Sequence, residues 1–82
     1  MVPADGIRVE PRDLAVANIL AGVLIDLMPS LVAALRPGGK LLTSGVVTAR
    51  EADVVAAAAD QGCGHLESRH RGGWTASAFE RR

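Results

Sequence analysis

In this sequence, Asn18 is the residue whose type and position best suit a role in binding or catalysis. It ends a short apolar run that begins after Asp13, and such runs are typical of strands buried on both faces of a parallel sheet. Open α/β sheets bind their ligands at the carboxyl ends of the strands. A carboxamide oxygen placed there can accept a hydrogen bond from an amine and align its lone pair with an electrophilic carbon. The structural alternative is that Asn18 caps a helix beginning near residue 21.

The other candidate residues do not match the patterns of a nucleophile, a phosphate-binding loop or a metal site. Ser44 lacks the Gly-x-Ser-x-Gly pattern of an esterase nucleophile, so we interpret it as a hydroxyl that lines a strand end. The glycines at 38–39 and 62–64 lack phosphate-binding patterns and are interpreted as turns. His65 and His70 lie five residues apart in a predicted strand, which places them on opposite faces and argues against a shared metal ion.

Length and composition indicate one small α/β domain spanning 1–82, with 1–12 as a lead-in. The 82 residues include nine basic and nine acidic ones, and zero net charge gives no electrostatic case for nucleic acid or an anionic membrane. An RNA contact through Arg69 and Arg71 is the weakest alternative. The lone Cys63 excludes an internal disulfide. The amino terminus lacks the features of a signal peptide, and no apolar stretch is long enough for a membrane helix, so we expect a cytoplasmic protein.

The hydrophobic pattern predicts the order strand, helix, strand, helix, hairpin. A leucine-rich stripe from 20 to 35 indicates an amphipathic helix, which Pro29 should kink or split. The first strand spans 14–20 and the second begins at Lys40; they should be parallel neighbours joined by a right-handed crossover. Residues 7–10 alternate in polarity and are either a short edge strand or a frayed lead-in.

The carboxyl-terminal half predicts a helix and a hairpin. Thr48 and Glu51 have the spacing of a capping box, and a helix should follow as far as Gln61. The segments 65–70 and 74–80 should form an antiparallel hairpin around a glycine loop. In its second strand, Trp74, Ala76 and Ala78 share one face and the residues between them share the other.

Three stretches together resemble the carboxyl-terminal half of a known family, the methyltransferases that modify the large-subunit ribosomal protein L11. They are Val16-Ala17-Asn18-Ile19-Leu20-Ala21, Leu35-Arg36-Pro37-Gly38-Gly39-Lys40-Leu41 and Ser44-Gly45-Val46. Gly73-Trp74 and the alternating strand after it resemble the family's ending, although a glutamate usually precedes that tryptophan. The resemblance runs from about Asp13 to Arg82.

The resemblance implies half of a Rossmann-like class I methyltransferase domain that uses S-adenosylmethionine, with two parallel strands, crossover helices and an antiparallel carboxyl-terminal hairpin. It implies that Asn18 is the catalytic amine acceptor, assisted by backbone carbonyls near Ala17 and Ile19. By the same resemblance, Leu20, Ser44 and Gly45 would line the substrate-binding surface. The family's glycine-rich cofactor loop and ribose-binding acid lie upstream of the matched region, so no cofactor-binding residue is assigned.

The resulting hypothesis is a carboxyl-terminal part of a ribosomal-protein N-methyltransferase that is inactive by itself. Its implied partners are a ribosomal protein substrate and either the missing amino-terminal half or a second copy. The alternative is a non-catalytic α/β module that self-associates or pairs with another chain through an open sheet edge, because the resemblance leaves the strand at 14–20 without its upstream neighbour.

Overall fold

The chain folds into a five-stranded mixed sheet with two helices on one of its faces. The computed structural model describes residues 7–10 and 13–82, so the predicted lead-in is described only at 7–10 and the rest of it lies outside the described residues. The elements are β1 (Ile7–Glu10), β2 (Leu14–Asn18), α1 (Ala21–Ala33), β3 (Lys40–Val47), α2 (Glu51–Asp60), β4 (Cys63–Arg71) and β5 (Trp74–Arg81). A short 3₁₀ turn, Thr48–Arg50, joins β3 to α2. Across the sheet the order is β1-β2-β3-β5-β4.

The two strands β2 and β3 are parallel neighbours, as predicted. Their register runs from Leu14 opposite Lys40 to Asn18 opposite Ser44, and α1 makes the connection between them. The carboxyl ends of both strands therefore meet at the same edge of the sheet. We refer to this edge, from Asn18 and Ser44 onward, as the carboxyl edge.

The strand β1 pairs antiparallel with β2 from Leu14 to Ala17, with Ile7 opposite Ala17 and Glu10 opposite Leu14. Residues 7–10 are thus an edge strand and not a frayed lead-in. The expectation that β2 would be an open edge is wrong, because β1 satisfies its outer backbone groups. The outer strands of the sheet are β1 and β4.

The predicted hairpin is present and joins the sheet through β5, which lies between β3 and β4. Gly72 and Gly73 form its two-residue turn with φ values of 57° and 81°. Two consecutive positive φ angles match the right-handed twist of the flanking strands, and glycine adopts them without a steric cost. The alternation in β5 is also as predicted, since Thr75, Ser77 and Phe79 are buried.

Both helices pack on the same face of the sheet, and the core lies between them and the strands. Ala15 and Ala17 of β2 point into this core and are fully buried. The buried apolar residues form one cluster: Ala15, Ala17, Ala21, Leu24, Met28, Leu31, Val32, Leu35, Leu41, Val46, Val54, Ala58, Cys63 and Phe79. The expectation that β2 is buried on both faces is wrong, because no described element covers the face opposite the helices.

The helix α1 is one continuous element despite Pro29, so the predicted split does not occur. Pro29 is exposed and Leu24 and Met28 form part of the buried stripe, so proline's loss of a backbone donor falls on the solvent side. With 13 residues, α1 is the longest helix in the described part of the chain. No described helix is long and apolar enough to cross a membrane.

The helix α2 begins without the predicted capping box. The Thr48 hydroxyl pairs with the Thr75 hydroxyl at 2.9 Å, and the Glu51 carboxylate accepts a hydrogen bond from His70 at 2.6 Å. Tertiary partners from the hairpin have therefore replaced the local partners that the spacing suggests. The end of α2 follows the prediction, since Gly62 adopts a positive φ of 79° two residues after Asp60.

Candidate functional site

The carboxyl edge brings several of the predicted site residues together. Asn18 ends β2 directly opposite Ser44 of β3. Trp74 begins β5 opposite Val47, at the same edge, because β5 runs antiparallel to β3. The predicted parallel pairing is therefore what places Asn18 beside Ser44 and Gly45.

The Asn18 carboxamide does not cap α1. The N-cap residue of α1 is Leu20, and no side-chain hydrogen bond closes this end of the helix. Asn18 is exposed, and no hydrogen bond to its carboxamide is found within the described part of the chain. The structural alternative considered for this residue is excluded, and the amide group remains open to a ligand.

Gly45 lies directly beneath the Asn18 carboxamide. It has a positive φ of 75° and sits where the register between β3 and β5 shifts. A Cβ built at this position would overlap the Asn18 Oδ1 atom and lie 3.6 Å from its Cγ. Glycine is therefore favoured at position 45 by the backbone angle and by the close approach of Asn18.

A shallow depression of about 460 Å³ opens beside Asn18. Its lining consists of Asn18, Ile19, Leu20, Gly45 and Trp74. Leu20 and Trp74 are 71% and 52% exposed, so apolar walls stand next to the single carboxamide. We call this depression the Asn18 pocket.

Three other predicted site residues lie in different environments: Ala17, Ile19 and Ser44. The Ala17 side chain is fully buried on the helix side, so only its backbone could face a substrate. Ile19 is half-buried and packs against the core. Ser44 lines a neighbouring depression of about 300 Å³ together with Gly45, Arg69, Arg71, Trp74, Thr75 and Ala76. We call this second depression the arginine pocket.

Of three further residues of this surface, the sequence considered Arg69 and Arg71 only as an RNA contact and gave Trp74 no site role. Trp74 lines both depressions, whereas Arg69 and Arg71 line the arginine pocket. The signal that could have found them is the strand order, because an antiparallel strand next to β3 must begin at the carboxyl edge. The sequence pattern predicts the hairpin but not its position beside β3.

The two histidines contradict the prediction that they lie on opposite faces. Leu66 is an extra residue in β4, where the register shifts between His65 and Glu67. This bulge reverses the alternation, so His65 and His70 lie on the same face, opposite Phe79 and Thr75. The described residues still contain no group of three or more metal-ligating side chains.

The histidines instead form a polar cluster on the α2 side of β4. His65 and Ser77 each lie 2.7 Å from the Ser68 hydroxyl, and His70 bonds to Glu51. The hydrogen bond from His70, followed by that from Ser68, lowers the pKa of Glu51 below its usual range. This cluster links α2 to β4 and lies on the face opposite the arginine pocket.

The described residues do not fit S-adenosylmethionine by themselves. A cofactor loop of this kind follows a strand and opens a helix. Gly38, Gly39 and Gly62 instead follow helices, and the pair Gly72–Gly73 joins two strands. Within 13–82, no glycine-rich turn connects a strand to a helix.

The full chain matches a family model. Residues 1–82 match the model described as ribosomal protein L11 methyltransferase (PrmA). This chain belongs to the ribosomal protein L11 methyltransferase family. The resemblance inferred from the Asn-Ile-Leu, Pro-Gly-Gly and Ser-Gly stretches is confirmed.

Curated members of the ribosomal protein L11 methyltransferase family are close relatives in sequence. One from Brucella suis is 47% identical over 66 residues, which cover 80% of this chain and 23% of that protein. One from Chloroflexus aurantiacus is 45% identical over 69 residues, which cover 84% of this chain and 21% of that protein. The chain therefore spans less than a quarter of the length of these relatives.

A solved structure of the family has the same fold in this region. The crystal structure of a ribosomal protein L11 methylase from Lactobacillus delbrueckii subsp. bulgaricus superposes with a TM-score of 0.80 at 33% identity. The superposition covers 85% of this chain and 36% of that chain. The mixed sheet and two helices described above are thus an architecture that a methylase contains as one part.

Proposed function

We propose that this chain forms the amine-binding side of an S-adenosylmethionine-dependent N-methyltransferase that acts on a ribosomal protein. The observation that supports this most directly is the exposed Asn18 carboxamide, which approaches Gly45 and has no hydrogen-bond partner among the described residues, at the carboxyl edge of a parallel strand pair. Family membership supports the reaction class. A cytoplasmic location follows from such a substrate.

In this proposal the Asn18 amide oxygen accepts an N–H from the neutral amine. Backbone carbonyls near Ala17 and Ile19 accept a second N–H, which leaves the nitrogen lone pair pointing away from the protein. Only a neutral amine has this lone pair, so a site built from acceptors both selects and orients the reactive form. Holding the amine in one orientation can supply a large part of the rate enhancement. S-adenosylmethionine would provide the methyl group.

The proposal also makes this chain half of a Rossmann-like domain, with cofactor-binding residues supplied by the remainder of the methyltransferase. Support comes from the absence of a strand-to-helix glycine turn within 13–82 and from the small share of the relatives that the chain spans. The 82-residue chain alone should bind no S-adenosylmethionine. Isothermal titration calorimetry tests this, and binding at micromolar concentration would contradict it.

The catalytic role of Asn18 is testable in a chimaera. In the Lactobacillus delbrueckii methylase, the segment that superposes on this chain would be replaced by residues 13–82. Asn18→Ala should lower kcat/KM for methyl transfer to ribosomal protein L11 by about 100-fold, because orientation of the amine is lost. Ser30→Ala, on the exposed side of α1, is the matched control and should leave the rate unchanged. An Asn18→Ala chimaera as active as its parent would refute the assignment.

A second candidate function is a non-catalytic module that associates with another copy or another chain. The observation in its favour is the sheet face opposite the helices, where Val16, Leu42 and Ala78 line a depression of about 310 Å³. With β1 covering the edge of β2, we place the association on this face. Multi-angle light scattering distinguishes the two functions, since a stable dimer of the isolated chain would favour the module.

A further inference from the structure

We propose that the arginine pocket binds a carboxylate of the peptide whose amine enters the Asn18 pocket. The substrate class is then a peptide with an acidic side chain close to the amine to be methylated. The binding of the amine at Asn18 rests on the proposed function, whereas the binding of the carboxylate rests on Arg69 and Arg71 alone. The two pockets are contiguous, because Gly45 and Trp74 line both of them.

The placement of the two arginines favours one shared ligand. Arg69 lies opposite Ala76 and Arg71 opposite Trp74, so the two side chains alternate onto the same face of β4. Two residues along a strand span roughly 7 Å. Two guanidinium groups at this spacing can hold the oxygens of one carboxylate or of two neighbouring acidic side chains.

Neither arginine has a carboxylate partner in the described part of the chain. Glu67 lies on the same face as Arg69, but no ion pair joins them. Other basic side chains at the surface are paired: Lys40 with Glu80, Arg50 with Asp53 and Arg36 with Asp13, at 2.6 to 2.8 Å. In a chain with zero net charge, two cations in one depression without a carboxylate partner among the described residues are a local surplus of positive charge.

Trp74 and Ser44 make this surface suited to a peptide. The half-exposed indole stands between the two pockets and offers an apolar wall to the backbone or a side chain of the ligand. The Ser44 hydroxyl adds a hydrogen-bonding group to the lining of the arginine pocket. The assembled surface has a hydrogen-bond acceptor for the amine, an apolar wall and hydrogen-bond donors for a carboxylate.

The test uses the fluorescence of Trp74, which is the single tryptophan of the chain. The 82-residue protein is titrated with two amidated peptides, Ala-Glu-Glu-Ala and Ala-Gln-Gln-Ala, which both have a free amino terminus. The acidic peptide should change the emission saturably and bind at least about tenfold more tightly, a ratio that one charge-assisted contact can supply. Equal affinities, or no saturable change, would overturn the inference.

Variants separate this site from surface charge in general. The double variant Arg69→Gln/Arg71→Gln should bind both peptides equally, whereas Arg82→Gln at the opposite edge of the sheet should keep the preference. Circular dichroism checks that each variant is folded. An oligoribonucleotide or inorganic phosphate that binds as tightly as the acidic peptide would overturn the choice of ligand.

The inference and the proposed function can fail separately. A preference for the acidic peptide in the isolated chain, combined with an active Asn18→Ala chimaera, would leave a carboxylate site without the amine role. Equal peptide affinities combined with an inactive Asn18→Ala chimaera would leave the amine role and remove the carboxylate site.

Discussion

At the scale of single residues, the side chain of Asn18 at the end of β2 restricts which residue type fits at position 45 of the adjacent strand β3. The carboxamide of Asn18 occupies the space that a side chain at position 45 would need. The close approach exists because the parallel register places Asn18 opposite Ser44, one residue before the glycine. A glycine that looks like a turn residue in the sequence is therefore part of the candidate site.

Substitution of Gly45 by alanine should destabilise the fold and displace Asn18. A positive φ costs a residue with a Cβ about 1 kcal/mol, and the overlap adds a smaller cost because the exposed, flexible Asn18 carboxamide must move. Gly38→Ala is the matched control, because Gly38 has a φ of 86° with nothing within 4 Å of its Cβ position. Urea denaturation should show the larger loss for Gly45→Ala. Equal losses of stability in the two variants would mean that the Asn18 side chain moves aside without an energetic cost.

At the scale of elements, the contact between α2 and β4 combines buried apolar side chains with a hydrogen bond to one carboxylate. Glu51 at the start of α2 accepts the hydrogen bond from His70, and a bulge in β4 brings His65 to the same side. The position of Glu51 in the first turn also favours its charged form, since the amino end of a helix carries a partial positive charge. The docking of α2 onto the hairpin should therefore respond to pH.

The direction of this response follows from the lowered pKa of Glu51. A carboxyl group with a lowered pKa in the folded state adds stability above its usual value of 4.5, and this stability is lost as the pH falls through the folded value. The difference in thermal midpoint between the parent and Glu51→Gln should be present at pH 7 and vanish at acidic pH. Asp26→Asn, exposed on α1, is the control and should show no such change. A pH-independent difference would contradict the linkage.

At the scale of the whole molecule, the sheet is asymmetric because both helices lie on one of its faces. Consecutive residues of β3 therefore have different environments: Leu41 is fully buried under the helices, whereas Leu42 is 39% exposed on the other face. Parallel strand pairs are usually covered on both faces. The uncovered face is consistent with an architecture that is one part of the longer methylase chains.

The two adjacent leucines give a direct measure of this asymmetry. Leu41→Ala should lower the free energy of unfolding by about 2–5 kcal/mol, because it removes packed methyl groups and leaves a cavity. Leu42→Ala should cost about 1 kcal/mol or less in the isolated chain. Guanidinium denaturation of the two variants tests the prediction. Similar losses for both would show that the second face is covered in solution.

The sequence by itself determined the order of the elements, the parallel pair, the hairpin turn and the family. These features depend on local signals, since hydrophobic periodicity, the glycine turns and the Asn-Ile-Leu, Pro-Gly-Gly and Ser-Gly stretches are all readable within a few residues. It also placed Asn18 at the end of one strand, although it left open whether Asn18 caps a helix. It placed Ser44 and Gly45 at the end of the next strand, which in the structure continues to Val47.

The tertiary structure alone decided the rest. A bulge at Leu66 reversed the faces of the histidines, the hairpin supplied partners to Thr48 and Glu51 in place of a capping box, and β1 closed the edge of β2. The position of β5 next to β3 brought Trp74 and Arg71 to Asn18's edge of the sheet. Each of these outcomes depends on contacts between residues far apart in the chain, and spacing along the sequence does not encode them.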